Sequence, residues 1–158
     1  MSQMLGKELP GALLRRLGGE EIEAHEGKII PIFTIDEAGW AHPALLSYYE
    51  VVARDAGTLD MALWKSSSTA NNLRKNGRIT LMVSDQGVNY YLKGSVTQLQ
   101  FEMSGAAPVS RFRVQLEQLI EDQEANAEIT TGLTYKRLTP RDPNDFAAKV
   151  FRLLREGP

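Results

Sequence analysis

"GTLDMALWKSSSTANNLRKNGRITLMVSD", residues 57–85, decides the fold. Leu59, Met61 and Leu63 alternate with other residues, the period of a strand with one buried face. A hydroxyl-rich loop, Lys65 to Thr69, interrupts the run. "TANNLRKN" then reads as a short polar helix that Gly77 stops, glycine being the residue that most easily takes the left-handed conformation after a helix. "RITLMVSD" is the clearest strand of the chain, with Ile79, Leu81 and Val83 on one face.

Working outward, "QGVN" has turn chemistry, and "YYLKGSVTQLQF" continues as a long strand. Its central Gly94 marks a bulge or the close approach of another chain segment. Upstream, "KIIPIFTID" (28–36) is rich in β-branched residues, and Pro31 points to an edge or a bulge. "DEAGW" supplies a turn, after which "AHPALLSYYEVV" resumes the apolar run, so these two segments predict a hairpin. Of the pairs Tyr48-Tyr49 and Tyr90-Tyr91, one member is expected inside and one outside.

Toward the ends the pattern becomes helical. Leu9, Leu13, Leu14 and Leu17 predict a helix over about 8–17, closed by Gly18-Gly19. Val109, Phe112, Leu116, Leu119 and Ile120 predict a second. "EITTGLTYKRLTP" returns to strand character, and "NDFAAKVFRLLREG" predicts a helix over about 144–156, capped by Asn144, with Phe146, Val150, Leu153 and Leu154 inward. The expectation is one domain spanning 1–158. It is mainly β with flanking helices (α+β), a six-stranded antiparallel Greek-key barrel that closes to protect its edges.

Composition narrows the function classes. Of 158 residues 42% are hydrophobic and 24% charged, the make-up of a globular chain. A formal charge of −2 gives no reason to expect nucleic acid or an anionic membrane as partner. Without cysteine there is no thiol nucleophile, disulfide or thiolate metal site. Together with the absence of a signal-like segment or a membrane-length apolar run, this suggests a cytoplasmic protein. GxGxxG, GxxxxGK[ST] and GxSxG are all missing, which removes the common nucleotide fingerprints and the nucleophile elbow. His25 sits in the polar stretch "EIEAHEGK" and reads as solvated; His42 lies between a turn and Pro43. No metal set, carboxylate pair or catalytic acid or base stands out.

What stands out is the start of the polar helix. A helix N-terminus presents unpaired N–H groups and partial positive charge, a ready site for an anion. Ser66, Ser67, Ser68 and Thr69 add hydroxyls there and Lys65 adds a charge. One serine is needed as the helix cap, and a polar loop is the simplest alternative reading of the others.

"FTIDEAGWAHPALLSY", "LDMALWKSSSTANNLRKNGRITLMVSD" and "YYLKGSVTQL", in that order, resemble the FMN-binding split-barrel family related to pyridoxamine phosphate oxidase. The likeness covers about residues 28–100. It implies a homodimer with FMN in clefts at the subunit interface. By this resemblance Ser67 and Thr69 touch the FMN phosphate, with Lys65 and Ser66 beside them. Asn72 anchors the helix or the cofactor, and Leu45 and Ser47 line the isoalloxazine. Ser68 stands where many relatives carry a basic residue. The arginine- and lysine-bearing motif of the true oxidases is missing from "HPALLSYYE", so that activity is not carried over. The expected function is that of a flavin-dependent oxidoreductase acting on a small molecule not identified by the sequence. The alternatives are a barrel that binds haem through His25 or His42, one that binds a deazaflavin, or a ligand-binding or sensory dimer without catalysis.

Overall fold

The computed structural model describes residues 1–85 and 87–157. Among these residues are eight strands and three α-helices. The strands are β1 (Ser2–Gly6), β2 (Ile29–Ile35), β3 (Ala41–Ser47), β4 (Val51–Ala53), β5 (Thr58–Trp64), β6 (Arg78–Asp85), β7 (Val88–Gln100) and β8 (Val109–Asp122). The helices are α1 (Gly11–Leu17), α2 (Ser68–Asn76) and α3 (Phe146–Glu156). A 3-10 turn at Ile22–His25 follows α1.

All described strand pairs are antiparallel, in one curled sheet of order β3-β2-β6-β7-β8-β5-β4. β1 pairs with the last residues of β8, and β5 takes the first half of that same edge. The inner face carries Ile30, Ile32, Leu59, Met61, Leu81, Leu92, Phe112 and Val114, with Leu13 and Leu17 of α1 laid on it. A second cluster lies on the outer face, where Val150, Phe151 and Leu154 of α3 cover Val52, Ala62 and Val109. The β2–β3 hairpin and the β5–α2–β6 unit form as the sequence predicts.

The expected helix over Val109–Ile120 is a strand instead. Its inward residues Phe112, Val114 and Leu116 keep the period of two. Gly94 of β7 pairs with Leu116 and Lys93 with Gln118, so Glu117 is an extra residue. That bulge puts Leu119, three positions after Leu116, back on the inner face. A helix-like spacing thus arises from a β-bulge. Gly94 is required there: a Cβ would lie 2.6 Å from the Gln115 carbonyl oxygen and 2.5 Å from Val114 Cγ1. Gly94→Ala is expected to destabilise by about 1–3 kcal/mol through overpacking against backbone, read as a lower denaturant midpoint.

Other expectations shift as well. Eight strands replace six because β1 and β4 were not foreseen and β8 replaces a helix, while residues 128–140 form only isolated bridges, Gly87 to Ile129 and Lys28 to Thr134. Of the expected "QGVN" turn, Gln86 lies outside the described residues. Pro31 is not on an edge strand; it lies just outside the β2–β6 register at Ile32 and Phe33. Tyr48 and Tyr49 are both buried, because they sit in the turn before β4 and enter different cores. His25 is not solvated: it is buried and stacked on Tyr48, with centroids 4.8 Å apart. The cap of α3 is Asp145, not Asn144, its carboxylate accepting from Ala148 N–H at 2.8 Å. Phe146 is 42% exposed rather than inward.

Candidate functional site

The loop that carries the hydroxyls is held rigidly. Lys65 N–H donates to Pro108 O (3.1 Å) and Ser67 N–H to Trp64 O (3.0 Å). Arg74, from the body of α2, donates to Lys65 O (2.8 Å), to Gln98 (2.7 Å) and to Ser110 Oγ (2.9 Å), with its guanidinium over the Phe101 ring. This arginine fixes the loop and was not foreseen; its position on the helix gives no local sign of it.

Ser67 is the cap of α2: its hydroxyl accepts from Ala70 N–H at 3.1 Å. The N–H groups of Ser68 and Thr69 have no acceptor among the described residues, as the first turn of a helix requires. Asn72 is buried and donates to Thr34 Oγ1 at 3.0 Å, tying α2 to β2.

Two hollows meet at this helix start. The narrower, of about 250 Å³, lies between β3, β5 and α3 and is lined by Leu45, Ser67, Thr69, Val109, Phe146 and Val150, among others. Trp64 and Phe146 stack at its rim with ring centroids 5.8 Å apart. Both are solvent-exposed, as is Leu45 at 59%. The wider, of about 730 Å³, is an open polar groove that takes in His42, Ser68, Asn72, Arg74 and Lys75.

The expected site residues therefore divide. Leu45, Ser67 and Thr69 share the narrow cleft, and Ser68 and Asn72 share the groove. Lys65, Ser66 and Ser47 line neither. The Lys65 ammonium is taken up by Glu102 at 2.5 Å. Lys75 is likewise ion-paired with Glu37. The charge that the sequence offers to an anion is thus engaged by carboxylates. Besides Arg74, whose bonds go to neutral acceptors, what remains for an anion is the pair of N–H groups and the hydroxyls.

Glu50 was also missed. It sits in the turn between β3 and β4, half-buried, and accepts from Ser47 N–H at 2.6 Å while lining the narrow cleft. Burial pushes its carboxyl up, against the opposing bonds from Ser47. Following "SYY" at the end of an apolar run, it looks in the sequence like an ordinary turn acid.

α3 forms one wall of that cleft, and arginines hold both its ends. At its C-terminus Arg111 donates to Leu153 O (3.1 Å), Leu154 O (2.9 Å) and Gly157 O, and Arg54 to Leu154 O (2.7 Å) and Arg155 O (2.6 Å). At its N-terminus Arg141 grips the capping Asp145 (2.9 Å) and Glu26 (2.7 Å) and lies over the Tyr49 ring.

A curled antiparallel sheet with a capped helix inserted between β5 and β6 and a cleft beside it is the split barrel of proteins related to pyridoxamine 5′-phosphate oxidase. HupZ of Group A Streptococcus superposes with a TM-score of 0.58 at 16% identity, over 77% of this chain and 99% of HupZ. A pyridoxamine 5′-phosphate oxidase-like protein of Lactobacillus delbrueckii gives 0.55 at 10%, over 75% and 98% of the two chains. An F420 reductase gives 0.52 at 12%, over 60% and 90%. In sequence, the chain is 26% identical over 142 residues to YclD, an uncharacterized protein of Bacillus subtilis strain 168, covering 90% of this chain and 87% of YclD. No family model matches. At these identities the solved structures define the fold and leave the activity open. No helix among the described residues is long and apolar enough to cross a membrane.

Proposed function

We propose that the protein is an FMN-binding flavoprotein, a flavin-dependent oxidoreductase working as a homodimer on a small molecule. The observation that carries this reading is the juxtaposition at the start of α2. Acceptor-free N–H groups of Ser68 and Thr69 stand beside the hydroxyls of Ser67 and Thr69. Ser67 and Thr69 line a cleft whose walls include Leu45, Trp64, Val109 and Phe146, while Ser68 lines the adjoining groove. The donors suit a phosphate and the walls suit a flat, largely apolar ring. The fit is through dipoles and hydroxyls, since Lys65 is committed to Glu102. Asn72 supports the site by tying α2 to Thr34. Flavin, once bound, supplies the electron or hydride chemistry, while this chain positions it and tunes it by hydrogen bonding. The exposed Leu45, Trp64 and Phe146 at the rim favour a second copy completing the cleft. Ser47, Ser66 and Lys65 lie outside the walls of both hollows and would reach the cofactor only in a partner-completed site.

The F420 reductase neighbour keeps a deazaflavin as the second reading. Haem has less support here, since His25 is stacked on Tyr48 and only His42 stands on a hollow. The purified protein is expected to be yellow and to release FMN. A Soret band, a deazaflavin spectrum, or a colourless protein that ignores added FMN would each overturn the assignment. Thr69→Val should weaken FMN binding by roughly tenfold, the loss of one hydrogen bond to a charged group, with little change in melting temperature. Ser67→Ala should weaken it too and also cost about 1 kcal/mol of stability through the lost cap. Unchanged FMN affinity in both variants would remove the phosphate from this helix start.

A further inference from the structure

A third cavity, of about 150 Å³, shares no lining residue with the two hollows at α2. Residues 130–134 form one side of it, and Arg16, Lys28, Ile29, Tyr48 and Ser84 the other. The segment 130–134 lies on the sheet without pairing as a strand. Ile29 N–H donates to Leu133 O (3.0 Å) and Tyr135 N–H to Gly27 O (2.7 Å). Gly132 rests directly on β6, where a Cβ would come within 2.7 Å of Ser84 Cβ and Oγ. Seated in this way, the segment leaves the N–H groups of Thr130, Thr131, Gly132, Leu133 and Thr134 without an acceptor among the described residues. The hydroxyls of Thr130 and Thr134 are unpartnered among them too, whereas Thr131 donates to Gly132 O. On the β2 side stands Lys28, half-buried. Its Nζ lies 3.2 Å from His25 Nδ1. An ammonium has donors only, so His25 accepts with a neutral ring. Lys65 and Lys75 are each paired with a glutamate, but Lys28 makes no ion pair among the described residues. No carboxylate lines the cavity among them either. A cation with one neutral partner, a run of open N–H groups and two open hydroxyls make a surplus of donors, the chemistry that holds an oxyanion.

We infer that this cavity binds a small oxyanion, inorganic phosphate or a short carboxylic acid, with its oxygens on Lys28 and on the N–H groups of residues 130–134. The size sets the limit, being well under the roughly 300–1,000 Å³ of sites for larger ligands. Ile29, Leu133 and Tyr48 in the lining offer surface to the short apolar body of a carboxylic acid. Once bound, the anion ties residues 130–134 to β2 more firmly than their few hydrogen bonds do. The site is independent of the flavin reading, because the cofactor cleft and this cavity have no wall in common.

The test titrates inorganic phosphate, isobutyrate and the neutral isobutyramide into the nitrogen-labelled protein as isolated, at neutral pH and constant ionic strength. Amide resonances are followed residue by residue by NMR. Phosphate, isobutyrate or both are expected to move the resonances of Ile29 and Thr130–Thr134 along saturating curves, and isobutyramide to leave them in place. Whichever anion binds more tightly identifies the source of the oxyanion. Lys28→Gln keeps a donor toward His25 and removes the charge, and should weaken binding at least roughly tenfold, the worth of a charge-assisted bond. Gly132→Ala pushes the segment off Ser84 with Lys28 intact, and should weaken binding as well. The resonances of β5 and α2 show that each variant is folded. Shifts that never saturate, that isobutyramide reproduces, or that fall on Ser68 and Thr69 and spare Thr130–Thr134 overturn the inference. So does affinity unchanged in Lys28→Gln or in Gly132→Ala.

Discussion

Asp60→Ala is expected to destabilise the protein by about 3–5 kcal/mol, the cost of breaking a buried ion pair from one side. Asp60 is fully buried on the outer face of β5. Its carboxylate accepts from Arg111 (2.6 and 3.0 Å) and from Arg113 (2.7 and 2.9 Å). Arg111 is itself only 2% exposed, and burial works against its charge while Asp60 restores it. Truncating Asp60 strands that guanidinium under α3, next to the carbonyls it caps. The helix then loses its seat on β5 and β8, so the substitution should also deform the cleft. Urea unfolding followed by circular dichroism gives the loss directly. A loss below about 1 kcal/mol, the range of an exposed pair, would mean that water replaces Asp60 without penalty.

Arg141→Ala is expected to cost about 2–3 kcal/mol, the range of hydrogen bonds to charged groups, and the cost should depend on pH. Arg141 joins three separate segments, reaching Glu26 before β2, Asp145 at the start of α3 and the ring of Tyr49. Its hydrogen bond is the main cause holding the Glu26 carboxyl below the ordinary value of 4.5, against burial and aided by Tyr135. A carboxyl with a depressed folded-state pKa contributes its stability above the unfolded value and loses it as pH falls through the folded one. The gap between wild type and Arg141→Ala should therefore be full near neutrality and shrink below 4.5. A gap constant from neutral to strongly acid pH would place the contribution in the Tyr49 stacking instead.

The central part of the fold is legible because its signals are local. The alternation in β5 and β6, the Ser67 cap and the left-handed Gly77 are each written within a few residues. The β8 error has a different origin. "SRFRVQL" alternates cleanly, but its outward arginines pair with the buried Asp60 of another strand. The bulge opposite Gly94 then adds a three-residue step that mimics a helix. Neither a distant counter-charge nor a cross-strand register is visible along one segment. Residues 128–140 mislead for the same reason. Their β-branched residues serve a strap that touches Gly27 and Ile29 through single hydrogen bonds, Tyr135 N–H to Gly27 O and Ile29 N–H to Leu133 O.

The candidate site is legible by kind of residue more than by partner. Hydroxyls before a helix are easily read, yet the sequence does not show that Glu102 occupies Lys65 or that Arg74 braces the loop. Glu50 and Arg141 stand out only once the chain brings α3 and the β3–β4 turn together.

The two-ended fastening of α3 bears on how quickly the cleft can exchange its contents. Arg111 and Arg54, from distant parts of the chain, grip one end of the helix, and Arg141, just ahead of it, ties the other end to Glu26. The wall therefore stands in position before any guest arrives, and the ordering entropy that an adaptable wall would lose on binding has already been spent in folding. Traffic through the cleft is then set by the aromatic doorway of Trp64 and Phe146, whose side chains can rotate on far shorter timescales than a helix can detach.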